Sequence, residues 1–215
     1  MIAMLDATSN PTDRSLTGSI STLLALSHLF TDGGEQLSRT LPALTKASQS
    51  LGREFPDIIQ IGHSLASYTQ VEPFEFMQMC FEFNRLFVGP TSPLAPPYES
   101  VYLSQDRLVM REQTLEVRRM YQSENLMATL QGTTPDDFIA TELEFAAYLL
   151  NRASQELSEE NPAKGLEYLD FYNLFMQEHP RRWLQLFATA VCENARHPVF
   201  PLIMKALMGT IELSF

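Results

Sequence analysis

Basic residues are scarce in this chain. Fifteen Lys and Arg stand against 26 Asp and Glu, for a net charge of −11. A nucleic-acid binder displaces counterions with a cationic face, so that class is excluded. A negative field does raise the encounter rate with cationic partners. Cysteine is nearly absent. Cys80 and Cys192 each fall inside a helical pattern, and neither belongs to a CxxC pair. Buried free thiols in a reducing compartment are therefore expected, not a disulfide framework. Long apolar runs are missing too. "STLLAL" is far short of a bilayer span, so stable membrane insertion is not expected. The N-terminal "MIAMLDATSNPTDRS" carries Asp6 where a secretory signal would have a basic region. It is expected to be a short arm, in keeping with a cytoplasmic protein.

Motifs for chemistry are equally scarce. GxxxxGK[ST], GxGxxG, HExxH, GxSxG and paired Glu-x-x-His are all absent from the sequence. His28, His63, His179 and His197 are scattered, and the last two precede proline at helix junctions, where capping is the expected job. Glu193 and His197, four apart, read as a surface hydrogen bond. Asp136 and Asp137 could form a carboxylate pair for acid–base work, yet a helix start explains them without catalysis. Trp183, Phe187 and Val191 form an apolar stripe that reads as core.

What is present is helical periodicity. At 215 residues and 45% hydrophobic, the chain can bury a substantial core. "SLTGSISTLLALSHLF" places Leu23, Leu26 and Phe30 on one side; "EQLSRTLPALTKASQSL", bent or divided at Pro42, and "DIIQIGHSLASYT" continue the pattern. In "PFEFMQMCFEFNRLF", Glu75, Gln78, Glu82 and Arg85 define a polar stripe opposite Phe76, Met79, Cys80, Phe83 and Phe87. Gly89 and Pro90 terminate it. "REQTLEVRRMYQSENL" is a more exposed helix. "QGTTPDDFIATELEFAAYLLNRA" predicts a helix capped by Thr134, with Pro135 in its first turn and Asp136 and Asp137 at its positive end. "SQELSEENPAKG" is a solvated connector, and the last third reads as three helices divided at His179-Pro180 and His197-Pro198. The fold class is all-α.

One stretch breaks the pattern. "LFVGPTSPLAPPYESVYL", Leu86 to Leu103, crowds four prolines into an irregular run in which "SVYL" reads as extended. Prolines limit what a free loop must give up on binding, so residues 88–104 suit a preformed groove wall. Tyr98 and Tyr102 offer flat apolar faces with polar tips.

This loop, with later motifs, resembles the TorD/DmsD family of redox-enzyme maturation chaperones. "FNRLFVGP" followed by "PLAPPYESVYL" looks like the family signature. "TPDDFIATELEFAAYLL" resembles its hinge segment, "HPRRWLQLF" its His-x-x-x-Trp-x-x-x-Phe segment, and "HPVF" its penultimate helix junction. The likeness covers roughly Phe81 to Phe200. Departures concentrate at the hinge. The family's histidine falls on Phe138, its aspartate on Asp137, its glycine on Ala140 and its leading glutamate on Thr134.

The resemblance implies a single globular helical bundle, with an N-terminal part (1–132) and a C-terminal part (133–215) joined at the hinge. It implies a cytoplasmic protein that is not an enzyme, has no cofactor of its own (guanine nucleotide enters by family resemblance only), and is a monomer or a domain-swapped dimer. The implied partner is the catalytic subunit of a molybdopterin oxidoreductase, met through its twin-arginine leader and held until cofactor insertion. For that leader an apolar groove with acid at one end is expected, built from Phe83, Leu86, Phe87, Pro97, Tyr98, Glu99, Ser100 and Tyr102, with Glu99, Asp136 and Asp137 as an acidic rim. Two other readings stand beside it: a helical adaptor using the same loop, or a small helical hydrolase using Asp136, Asp137 and His179.

Overall fold

Helices α1 (Pro11–Asp32) and α7 (Ile139–Ser158) pack against each other more extensively than any other described pair, and the rest of the molecule is arranged around them. Both carry the apolar spacing that makes this possible. On α7, Leu143, Ala146, Ala147, Leu150 and Ala153 are buried, and the alanines let neighbouring helices approach closely. The computed structural model describes residues 11–51, 56–90, 92–129, 132–159, 161–213 and 215, so the expected N-terminal arm lies outside the described residues.

Among the described residues eight further α-helices pack with them: α2 (Leu37–Ser50), α3 (Pro56–Ala66), α4 (Pro73–Phe83), α5 (Glu99–Leu103), α6 (Glu112–Ser123), α8 (Pro162–Glu178), α9 (Pro180–Asn194) and α10 (Val199–Ile211). No strand forms among the described residues; one isolated bridge pairs Tyr98 with Phe138. A large apolar core runs from Leu16 to Ile211 and draws on both sides of residue 132. Leu51, Ile58 and Leu213 form a smaller cluster. Gly165 permits a close approach between α7 and α8, since a Cβ there would stand 2.6 Å from Leu157 Cγ.

Several local expectations change. Pro42 neither divides nor ends α2, because burial of Leu41 and Leu44 outweighs the lost backbone bond. "SVYL" is the helix α5, not extended. Most of "SQELSEENPAKG" belongs to the ends of α7 and α8. Cys80 is half-buried and Cys192 exposed; both are free. The polar stripe of α4 is only partly the solvent face: Gln78 is exposed, but Glu82 is not. Glu82 is 7% exposed and chelates Arg85, whose guanidinium also reaches the Asn194 carbonyl, while Phe74, Met77 and Phe81 face outward.

Beyond α4 the chain widens into a π-helical turn, Asn84–Val88, closed by Gly89, whose N–H donates to the Asn84 carbonyl at 2.8 Å with φ at +105°. A left-handed residue of this kind is a natural glycine position. The turn aims Leu86 and Phe87 inward, and Ala95 N–H then donates to the Leu86 carbonyl, folding the proline-rich loop back onto the body. Phe87 meets Phe30 at 5.3 Å, Phe83 at 4.9 Å, Phe187 at 5.8 Å and Phe200 at 6.0 Å, mostly edge to face. It therefore joins the two halves of the sequence in one aromatic cluster. Phe87→Ala is expected to cost about 3–5 kcal/mol in urea unfolding, the range for emptying a buried phenylalanine site.

Candidate functional site

The proline-rich loop ends where the chain meets a second segment. Pro97 to Ser100 and Asp137 to Ile139 lie side by side: Ile139 N–H donates to the Pro97 carbonyl at 3.0 Å, and Glu99 N–H to the Asp137 carbonyl at 3.1 Å. The Tyr98 and Phe138 rings sit 5.4 Å apart across this pairing. Pro135 begins a tight turn closed by Phe138 N–H, so α7 starts at Ile139 with Phe138 at its cap position, four residues later than Thr134 and Pro135 suggested.

Asp137 is the centre of this junction. One oxygen accepts from Ser100 N–H at 2.8 Å, in the first turn of α5, and the other from the Thr114 hydroxyl at 2.8 Å on α6. It caps a helix, but a different one from that implied by its sequence neighbours. Asp136 pairs with Arg118, and its carbonyl accepts from the Tyr121 hydroxyl at 3.1 Å. Glu99 lies 3.0 Å from His179 Nδ1, and Glu142 accepts from the Trp183 indole at 2.9 Å. Burial drives the Glu142 carboxyl well above the ordinary carboxylate range, and the adjoining Glu99 adds to this. Burial also raises Glu99, against the opposing pull of His179.

The predicted site residues divide accordingly. Phe83, Leu86, Phe87 and Pro97 are core. Glu99, Ser100, Asp136 and Asp137 are at most 1% exposed, so the expected acidic rim is an internal network. The reason is that most of its carboxylate oxygens already have donors inside the fold. Tyr98 and Tyr102 are half-buried, Tyr102 stacking on Trp183 at 5.5 Å. His179 is 3% exposed and faces Glu99, not either aspartate, so Asp136, Asp137 and His179 form no open triad. It occupies the cap position between α8 and α9, but its side chain makes no capping hydrogen bond there; that of His197 does at the start of α10, accepting from Val199 N–H at 3.3 Å.

Directly over the junction lies a surface groove of about 530 Å³. Tyr121, Phe138 and Phe145 are among its lining residues, with Tyr148 and Glu144 from α7, His28 and Thr31 from α1, and Leu126 and Met127 from the segment after α6. Met127 is 72% exposed, apolar surface on a short connection. Glu144 is exposed on the lining, and Glu124 accepts from the Tyr148 hydroxyl at 3.2 Å beside it. A second cavity of about 300 Å³ between Leu37, Tyr68, Val71 and Phe76 has no charged side chain in its lining. The groove was missed because it joins residues from Ser27 to Tyr148 that share no local motif. The one signal was "NLMATL", apolar residues where a connector would be polar.

Comparison with known proteins follows the same segment. A family model described as nitrate reductase delta subunit matches residues 57–189, which include the junction and most of the groove lining. The Tat proofreading chaperone DmsD of Salmonella typhimurium is 25% identical over 118 residues, 55% of this chain and 51% of the relative. The chaperone protein TorD of Aliivibrio salmonicida is 28% identical over 137 residues, 64% of this chain and 62% of the relative. The chain thus spans about half to three-fifths of the curated relatives it matches. A crystal structure of an Archaeoglobus fulgidus protein assigned to redox enzyme maturation superposes with a TM-score of 0.54 at 18% identity, covering 88% of this chain and 90% of that one, a likeness of fold.

Removing the junction's central acceptor tests its structural weight. Asp137→Ala leaves the Ser100 N–H and the Thr114 hydroxyl without partners and is expected to cost about 1–3 kcal/mol in urea unfolding, with faster hydrogen exchange at Ser100. Asp137→Asn should retain most of that stability, because its amide can accept from Ser100 and donate to the Thr114 oxygen.

Proposed function

Because the chain belongs to the nitrate reductase delta subunit family, we propose that it is a maturation chaperone, not an enzyme. It binds the twin-arginine signal peptide and the apo form of a molybdopterin oxidoreductase catalytic subunit in the cytoplasm, and holds both until cofactor insertion. The names of its relatives support this reading, since those proteins are called Tat proofreading chaperone and chaperone. No helix among the described residues is long and apolar enough to cross a membrane.

The observation that carries the proposal is the groove. A twin-arginine leader has a cationic start and an apolar middle. Leu126, Met127, Phe138 and Phe145 supply apolar walls, and Glu144 with Glu124 supplies carboxylates at the edge, where arginine can be met bidentately. A net charge of −11 favours encounter with a cationic segment. The proline-rich loop then has a supporting role: through Tyr98 against Phe138 it fixes one wall of the groove. Preforming that wall lowers the ordering cost of binding.

The test is titration of a fluorescently labelled twin-arginine leader peptide, read by anisotropy. Wild type should bind. Glu144→Lys should weaken binding about tenfold or more, with the loss shrinking as salt rises, and Met127→Asp should weaken it without altering stability. Phe81→Ala, on the outward face of α4, should leave affinity unchanged. Unaltered affinity in both groove variants, or no binding by wild type, would overturn the assignment.

A further inference from the structure

Glu142 is 1% exposed, and among the described residues one of its oxygens has a single donor, the neutral Trp183 indole, while the other has none. An ionised carboxylate held this way would be left with most of its desolvation uncompensated. The group it meets is the carboxyl of Glu99, itself fully buried. Two carboxylates do not abut in a protein interior with both charges present; a proton between them removes the repulsion and supplies the missing hydrogen bond.

The surrounding charges point the same way. From α5 comes Glu99 itself, from the 136–138 turn Asp137 and Asp136, and from α6 Arg118, which is paired to Asp136, and Tyr121, whose phenol is pushed well above its ordinary value by burial, with Glu142 adding to the rise. His179, between α8 and α9, faces Glu99, and the exposed Arg182 acts on Glu99 as well. Asp137 adds negative potential at both Glu99 and Glu142. The positive partners therefore fall on Glu99 and Asp136, which makes Glu99 the carboxylate and Glu142 the acid of the pair.

We propose that Glu142 and Glu99 share one proton in the folded protein, and that this carboxyl–carboxylate pair is a pH-sensitive latch fastening α5 and α9 to α7 beneath the groove. Glu142 donates to Glu99, which accepts from His179 on its other side. When the proton is lost to solvent, the pair gains one negative charge and no cation moves in to meet it. Repulsion then falls between α5 and α7, the two elements that hold the Pro97–Ser100 and Asp137–Ile139 pairing. This stands whether or not the groove takes a leader peptide.

Glu142→Gln separates the latch from a passive polar contact. The glutamine amide can donate to Glu99 and its carbonyl can accept from Trp183, so the variant keeps the bonds without the proton. The folded state of wild type holds a proton that the unfolded chain releases above the ordinary glutamate value of 4.5. The stability from this pair is complete below that value and is lost as pH rises through the folded-state value. The wild-type unfolding constant divided by that of Glu142→Gln should therefore climb with pH, by up to about tenfold per unit. Amide exchange at Glu99 and Ser100, compared at equal pH, should become faster in wild type than in the variant. A ratio flat across pH would overturn the latch. Should Glu142→Gln not fold, carboxyl-carbon NMR of ¹³C-glutamate wild type decides. A Glu142 signal still in its protonated position at neutral pH supports the shared proton, and one titrating with the exposed glutamates overturns it.

Discussion

Most of this architecture depends on one buried carboxylate meeting two donors from separate helices. Asp137 accepts the Ser100 N–H of α5 and the Thr114 hydroxyl of α6, while its own backbone pairs with the strand of chain leaving the proline-rich loop. Without it, α5 has no side chain at its N-terminus, and α6 is tied to the turn before α7 through Asp136 alone. The other internal acids are arranged around the same point. Asp136 reaches α6 through Arg118, Glu99 reaches the α8–α9 junction through His179, and Glu142 reaches α9 through Trp183. Buried charges are poor sources of net stability, because desolvation consumes most of what pairing returns. Their value here is directional: each acid accepts one particular partner, so the helices it joins can dock in one register.

The proline-rich loop is a part of this constraint more than an independent binding element. Its apolar members descend into the core through the π-helical turn and the aromatic cluster around Phe87, and its last residues form one side of the junction. What remains available to a partner lies on the far side of Phe138. The stiffness that suggested a receptor surface thus acts one step removed, by holding the ring that lines the groove. Phenylalanine at position 138 keeps that wall apolar.

Legibility in the sequence followed the range of the interactions. The all-α class, the helix breaks at His179-Pro180 and His197-Pro198, and the stop at Gly89 depend on neighbours within a turn or two, and each was readable from residue order. Asp137 was readable as a helix-capping acid but not as the cap of α5, because its partner Ser100 is 37 residues away and the nearer helix start competes for it. Glu82 reads as solvent-facing by its spacing on α4, yet Arg85 and the backbone of Arg196 hold it inside, while Phe74, Met77 and Phe81 are left outside. The groove is the extreme case. Its lining is drawn from α1, α6, the segment after it and α7, and both the packing of α1 on α7 and the contacts of Tyr121 and Glu124 with α7 bring those pieces together.

That packing also explains why the groove lies beside the acids. Tyr121 and Phe145, both on the groove lining, stand 4.8 Å apart, and Phe175 packs against Phe145 at 4.9 Å. The same Tyr121 spends its hydroxyl on the Asp136 carbonyl. An aromatic that is apolar on its groove side and hydrogen-bonded on its inner side links the two environments through one rigid ring.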